Sequence, residues 1–219
     1  MFIELRNAVK KYQTKDVETL ALDGINLSVE KGEMIAIIGT SGSGKTTLLN
    51  IIGAMDRLTE GQYFFEGREV SAFSSKELHR FRKEKMGFVF QNFELMNHYT
   101  VYENVEMPLL ARNIKNRKKI VMEKLEEMNI AELKNKLPIQ LSGGQKQRTA
   151  IARALAADTQ VILADEPTGS LDHNTGEHVM ELLKKINEQG KTVLIITHDL
   201  NVAGKCGRIV QIEDGKIIK

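Results

Sequence analysis

The eight residues Gly39-Thr-Ser-Gly-Ser-Gly-Lys45-Thr46 constrain this chain more tightly than any other stretch. They fit the pattern G-x-x-x-x-G-K-[ST], between the apolar run Met34–Ile38 and the helical pattern Lys45–Met55. A buried parallel strand, a glycine turn and a helix form the setting this pattern requires. The glycines let backbone N–H groups point inward around a phosphate, and the helix start adds partial positive charge. Lys45 then reaches the β- and γ-phosphates, and the Thr46 hydroxyl serves as a Mg2+ ligand. The candidate phosphate-binding residues are Gly39, Thr40, Ser41, Gly42, Ser43, Gly44, Lys45, Thr46 and Thr47. This loop implies a nucleoside triphosphate and does not by itself separate a transport ATPase from a kinase or a GTPase.

Downstream, Val161-Ile-Leu-Ala-Asp165-Glu166 is an apolar strand ending in two acids. A carboxylate at a strand end is expensive to bury unless a cation or hydrogen bonds compensate. Asp165 suits a contact to Mg2+ and its water, and Glu166 suits the general base for an attacking water. Around these sites the pattern predicts strands at Phe2–Arg6, Leu22–Val29, Gln62–Glu66, Gly87–Phe90, Val161–Ala164 and Val193–Ile196. Ile209–Ile212 and Lys216–Ile218, split by Asp214-Gly215, read as a hairpin. Helical spacing covers Ile120–Lys134, Gly144–Ala157 and Thr175–Glu188. Strand signals vanish between Phe93 and Gln140, which predicts an inserted helical segment.

Composition removes several alternatives. With 31 Lys and Arg against 29 Asp and Glu, the net charge is 31 − 29 = +2, without the basic footprint of a nucleic-acid binder. The single cysteine, Cys206, excludes an intrachain disulfide and a cysteine-based zinc site, and a reducing compartment is expected. No apolar run approaches the roughly 18–20 residues of a membrane helix, and the N-terminus lacks a signal-peptide stretch.

Leu141-Ser-Gly-Gly-Gln145 follows the helical segment and opens another helix. Ser142 is a good N-cap, and Gly143 and Gly144 expose amides, so the chain holds a second helix start suited to an anion. In this order, after a phosphate loop and before LADEP, the motif resembles the signature of the ATP-binding cassette (ABC) ATPases. The resemblance covers essentially the whole chain. It implies a P-loop α/β core with a mostly parallel sheet, an N-terminal antiparallel β subdomain and an inserted α-helical subdomain. Its domain division is 1–91 and 141–219 for the nucleotide-binding core and 92–140 for the insertion.

The same resemblance assigns further roles. Gln91 is similar to the glutamine-loop residue that senses Mg2+ and the attacking water, so Thr46, Gln91 and Asp165 form the implied metal set. Glu166, His198, Gln91 and Lys45 form the implied catalytic set, with His198 as the switch histidine. Asp172, within Ser170-Leu-Asp172, resembles the dimer-contact loop, and Ser142, Gly143, Gly144 and Gln145 the cross-subunit phosphate contact. Tyr12 stands where the family places an aromatic that stacks on adenine.

GFVFQNFELM, Thr100-Val-Tyr-Glu103-Asn104-Val105, LADEPTGSLD and an extended loop after Tyr12 resemble the MacB/LolD-type group in particular. Asn97-His98 departs from that group's usual apolar-proline pair.

The resemblance implies ATP and Mg2+ as ligands, a head-to-tail dimer closing on two ATP molecules, and a separate membrane permease. It further implies a cytoplasmic location on the inner face of the membrane, with export or extraction of a peptide, lipoprotein or drug. Phe93, Leu95 and Met96 are candidates for permease docking. The basic run Arg112–Lys119 is expected as a solvated helical face. The rival reading is an ATPase that drives signalling or a cell-wall hydrolase through its membrane partner without transport.

Overall fold

The computed structural model describes residues 1–13 and 18–219. Of the extended loop expected between Tyr12 and the strand at Leu22, Gln13 and Glu18–Ala21 are strand instead, and 14–17 lie outside the described residues. The chain begins with a long antiparallel ribbon, β1 (Ile3–Gln13) against β2 (Glu18–Val29). Register shifts follow Leu5, Ala8 and Lys10. Each shift breaks the two-residue period, so β1 runs past the Phe2–Arg6 segment that alternation alone predicts. With β4 (Glu60–Phe65) and β5 (Arg68–Glu69) the ribbon makes a four-stranded antiparallel sheet in the order β2-β1-β4-β5.

The second sheet contains β3 (Met34–Ile38), β6 (Met86–Phe90), β7 (Val161–Asp165), β8 (Thr192–Ile196), β9 (Arg208–Glu213) and β10 (Lys216–Ile217). Its order is β10-β9-β3-β8-β7-β6, parallel throughout except for the β9–β10 hairpin. Both faces of the sheet are covered, which explains the unbroken apolar runs. Ile35, Ile37, Leu163, Leu194 and Ile196 pack with α1 (Lys45–Ile52) and the antiparallel sheet. Ile162, Ala164, Val193 and Ile195 face the other core. That core is filled by α3 (Val101–Ala111), α4 (Arg117–Glu127), α5 (Gly143–Ala156) and α6 (His173–Glu188).

Local departures from the sequence pattern have local causes. α1 stops at Ile52, short of Met55, because Gly53 caps it and Ala54 turns left-handed at φ 54. α4 starts three residues before Ile120 and ends at Glu127. Asn129 is left-handed at φ 53, and only a 3-10 turn at Ala131–Leu133 follows. Val121, Leu125, Met128 and Leu133 still share one core, which is why their spacing resembles a single helix. α2 (Ser75–Lys85), between β5 and β6, escapes apolar periodicity because it buries only Leu78 and Phe81. Its readable mark is the capping box of Ser74 and Glu77. A short α7 (Leu200–Ala203) follows β8. Among the described residues no helix is long and apolar enough to cross a membrane.

Candidate functional site

Parallel pairing lines up the C-terminal ends of β3, β6, β7 and β8 along one edge of the sheet, the usual ligand-binding edge of such folds. The loop from Gly39 to Gly44 leaves β3 there and enters α1. Glycine is demanded at both its ends. At Gly39 (φ 156) a Cβ would fall 2.1 Å from the Ile212 carbonyl oxygen, and at Gly44 (φ 104) 2.4 Å from that of Ala21. The loop closes around its own lysine: the nearly buried Lys45 Nζ donates to the carbonyls of Gly39 at 2.9 Å and Thr40 at 2.6 Å. Ser43 Oγ is buried without a hydrogen-bond partner. A buried ammonium, an unpartnered hydroxyl and a backbone cradle with no room for side chains suit a polyphosphate.

Asp165 ends β7 beside Thr46 and Lys45. Burial raises its pKa, the neighbouring Glu166 raises it further, and Thr46 and Lys45 pull the other way. A hydroxyl and a desolvated carboxylate side by side form a donor set suited to Mg2+. The raised pKa has a consequence for stability. A carboxyl whose folded pKa exceeds its unfolded one favours folding below the unfolded value, and that contribution is lost as pH rises through the folded value. At neutral pH, above the unfolded value, the raised pKa of Asp165 therefore opposes folding. Asp165→Asn is expected to raise the melting temperature of the nucleotide-free protein at pH 7, with the gain shrinking toward pH 4. The extra stabilisation by ATP with Mg2+ over ATP alone should diminish, which thermal denaturation with and without Mg2+ measures.

Glu166 is left-handed at φ 46, a strained position for a residue with a side chain. Several contacts hold it there. Its N–H donates to the Ile196 carbonyl at 2.9 Å. Its Oε1 accepts from the His198 backbone N–H at 3.1 Å and lies 2.7 Å from His198 Nδ1. Its Oε2 accepts from the Thr197 hydroxyl at 3.3 Å. The β6–β7 register, Phe90 opposite Asp165, sets Gln91 beside this turn. Gln91 lies over Gly169, where a Cβ would meet its Nε2 at 3.0 Å. The structure thus brings Lys45, Thr46, Asp165, Glu166, Gln91 and His198 to one edge.

Ser142 to Gln145 lies elsewhere on the chain. The Ser142 hydroxyl accepts from the Gln145 N–H at 3.3 Å, and Gln145 Oε1 accepts from the Ser142 N–H at 3.0 Å, closing a capping box at the start of α5. A Cβ on Gly144 would be 2.4 Å from Thr175 Cγ2, and one on Gly143 3.2 Å from Leu171 Cδ2. Asp172 is the N-cap of α6, accepting from the Thr175 N–H at 3.0 Å and the Thr175 hydroxyl at 2.6 Å. Among the described residues no hydrogen bond joins this segment to the Gly39–Thr46 loop. Tyr12 stands near the end of β1, partly exposed, with its phenol on Asp56.

Two side chains on α5 escape motif reading. Gln147 is fully buried, and its Nε2 donates to the Pro167 carbonyl, next to Glu166, at 2.6 Å. Its signal is a polar residue in register with Ala150, Ile151 and Ala154 on the buried helix face. Arg153 donates to the Phe93 carbonyl at 2.9 Å and to that of Glu94. Both of these residues are left-handed, at φ 64 and 46. Burial holds the Arg153 pKa below its ordinary value. Arg153→Leu strands the part-buried Phe93 carbonyl, while the exposed Glu94 carbonyl finds water, and should cost about 1 kcal/mol, read from the urea midpoint. Beside this loop runs a groove of about 470 Å3 lined by Met55, Phe88, Phe90, Met96, Met107 and Pro108, among others. Of the three docking candidates, Met96 lines this groove and Phe93 and Leu95 do not.

A family model described as ABC transporter matches residues 22–169. The macrolide export ATP-binding/permease protein MacB of Pasteurella multocida is 47% identical over 219 residues, 99% of this chain and 34% of that protein. The chain thus spans about a third of the length of this relative. The uncharacterized ABC transporter ATP-binding protein MJ0796 of Methanocaldococcus jannaschii is 46% identical over 222 residues, 98% of this chain and 94% of that protein. The dimeric structure of a post-hydrolysis state of the ATP-binding cassette MJ0796, bound to ADP and Pi, aligns with a TM-score of 0.92 at 43% identity. It covers 99% of this chain and 97% of that one.

Proposed function

This chain belongs to the ABC transporter ATP-binding domains, and on that premise we propose that it hydrolyses Mg-ATP as one half of a head-to-tail dimer that drives a membrane permease. The observation that carries this is the separation, within one chain, of two helix starts suited to phosphate. The start of α1 closes on Lys45, while the start of α5 packs on Leu171 and Thr175 of its own chain. A second copy supplies the missing half of each site: Gly39–Thr46 of one protomer faces Ser142–Gln145 of the other. The dimer of MJ0796 holding ADP and Pi supports this reading. Residues 1–91 and 141–219 serve as the nucleotide core, and 92–140 as the helical insertion.

Mg2+ held by Thr46 and Asp165, with Gln91 beside them, would neutralise charge on the transferred phosphoryl group. Lys45 binds the phosphates in place of its loop carbonyls. The Glu166 carboxylate takes one proton of the attacking water on one of its two oxygens while the resulting hydroxide bonds the γ-phosphorus and ADP leaves, and His198, bonded to Glu166, fixes that carboxylate. Closure gains phosphate contacts from both protomers and loses them on hydrolysis, so the nucleotide shifts an open–closed equilibrium.

The groove along Met55, Phe90, Met96 and Met107 receives a segment of the permease, and the chain works at the cytoplasmic face of the membrane. The relatives named for macrolide export favour export or extraction. An affinity-tagged Glu166→Gln chain, expressed in its own cells and solubilised gently with Mg-ATP, is expected to copurify with a permease of few membrane helices and a large external domain. Recovery of soluble or nucleic-acid-bound partners alone overturns the reading, and an external cell-wall hydrolase arriving with the permease replaces transport by signalling.

A further inference from the structure

Tyr12 does not stand alone. Its hydroxyl donates to Asp56 Oδ2 at 2.8 Å. The other oxygen of the same carboxylate accepts from Lys10 Nζ at 2.7 Å and from the Arg57 N–H at 2.7 Å. Lys10 also donates to the Arg57 carbonyl at 2.9 Å, and its side chain is only 12% exposed. From there its ammonium sits 4.8 Å from the centroid of the Tyr12 ring. One ring face is therefore covered by a cation, the hydroxyl is tied down, and Tyr12 keeps 40% of its surface exposed. Asp56 lies in the turn leaving α1, the helix whose first residues are Lys45, Thr46 and Thr47. The aromatic ring and the phosphate loop are thus referenced to one helix from its two ends.

We propose that Asp56 and Lys10 are positioning residues that fix Tyr12 as a one-faced stacking platform for the nucleotide's base, at a set distance from the phosphate loop. This rests on the reading of Tyr12 as the base-stacking residue and deepens it. A tyrosine near the end of a strand, beside a partly exposed surface, has rotamers to lose when a base lands on it. The three-residue lock removes that loss before the nucleotide arrives, which is how preorganisation raises affinity. The Thr47 side chain also reaches the Tyr12 hydroxyl, but the Asp56 and Lys10 side chains bond only Tyr12, Arg57 and each other among the described residues, so their part of the lock acts on the base and favours a whole nucleotide over a bare polyphosphate.

The test uses the full chain and two probes, ATP and inorganic tripolyphosphate, with dissociation constants measured by calorimetry. Tyr12→Ala should weaken ATP and spare tripolyphosphate. Tyr12→Phe keeps the ring and removes the hydroxyl; Asp56→Ala removes the anchor. Each should weaken ATP by about 3- to 10-fold with tripolyphosphate unchanged, and the double variant should be no worse than either single one, because both cut the same lock. Asp56→Asn, which keeps an acceptor for the phenol, should fall between wild type and Asp56→Ala.

If Tyr12→Ala binds ATP normally, the stacking reading itself fails and the lock with it. If Tyr12→Ala is weak while Tyr12→Phe and Asp56→Ala bind like wild type, stacking stands and the lock is wrong. Additive losses, or a loss of tripolyphosphate binding in Asp56→Ala, also overturn it, the latter by showing that Asp56 serves the phosphate loop.

Discussion

Glu166→Gln is expected to bind Mg-ATP normally and to lose between about 100- and 10,000-fold in turnover, the range a general base contributes. The substitution is nearly isosteric. An amide oxygen still accepts from the His198 N–H or the Thr197 hydroxyl, the two donors that hold Glu166 in its left-handed turn. What disappears is the capacity to take a proton from water. Lys45, Thr46 and the glycine loop are untouched, so the nucleotide arrives and stays. The dimer, which opens only when phosphate contacts are lost, should then accumulate. Phosphate release and size-exclusion chromatography in Mg-ATP read the two consequences separately. Wild-type turnover in this variant would remove Glu166 from the chemistry.

Ser142→Arg should abolish the nucleotide-dependent dimer while the monomer binds ATP within a few-fold of wild type. The hydroxyl is the N-cap of α5, and its loss alone costs about 1 kcal/mol of helix stability. That is too little to unfold a domain with two large cores. The long side chain is the stronger effect, because it projects from the helix start that must meet the partner's phosphates. Ser142→Asp separates the two contributions: it keeps a capping oxygen and sets a negative charge toward the phosphates, so it should also block closure without the loss of stability. Sedimentation with and without Mg-ATP, beside a melting curve, distinguishes them. A Ser142→Arg chain that still dimerises on ATP would defeat the cross-subunit reading.

The parts of the site that were legible in sequence are those written in a few consecutive residues. The run from Gly39 to Thr46 demands its glycines through contacts with Ile212 and Ala21, and the demand leaves a spelling. Asp165-Glu166 and Ser142–Gln145 are likewise compact. Contacts between distant segments leave much fainter marks. Arg153 reaches Phe93 and Glu94 from about sixty residues away, and one of two arginines in an alanine-rich helix does not announce a partner. Gln147 did leave a trace, as a polar residue on an apolar face, although its partner Pro167 could not be named from it. Element ends failed where one residue took a left-handed turn, at Ala54 and Asn129. β1 looked short because its bulges erased the alternation on which recognition of a strand depends.

α5 is 14 residues long, about 21 Å. Its capped start carries Ser142, the proposed contact to a second copy, its second turn grips Pro167 through Gln147, and its last turn straps Phe93 and Glu94 through Arg153. A helix of four turns packed on both sides behaves as a stiff rod. A tilt at one end is therefore delivered to the other without first melting anything between them. In the proposed dimer, arrival of a second copy, the pose of the acid loop and the shape of the groove beside Glu94 would then be tied through one rigid helix.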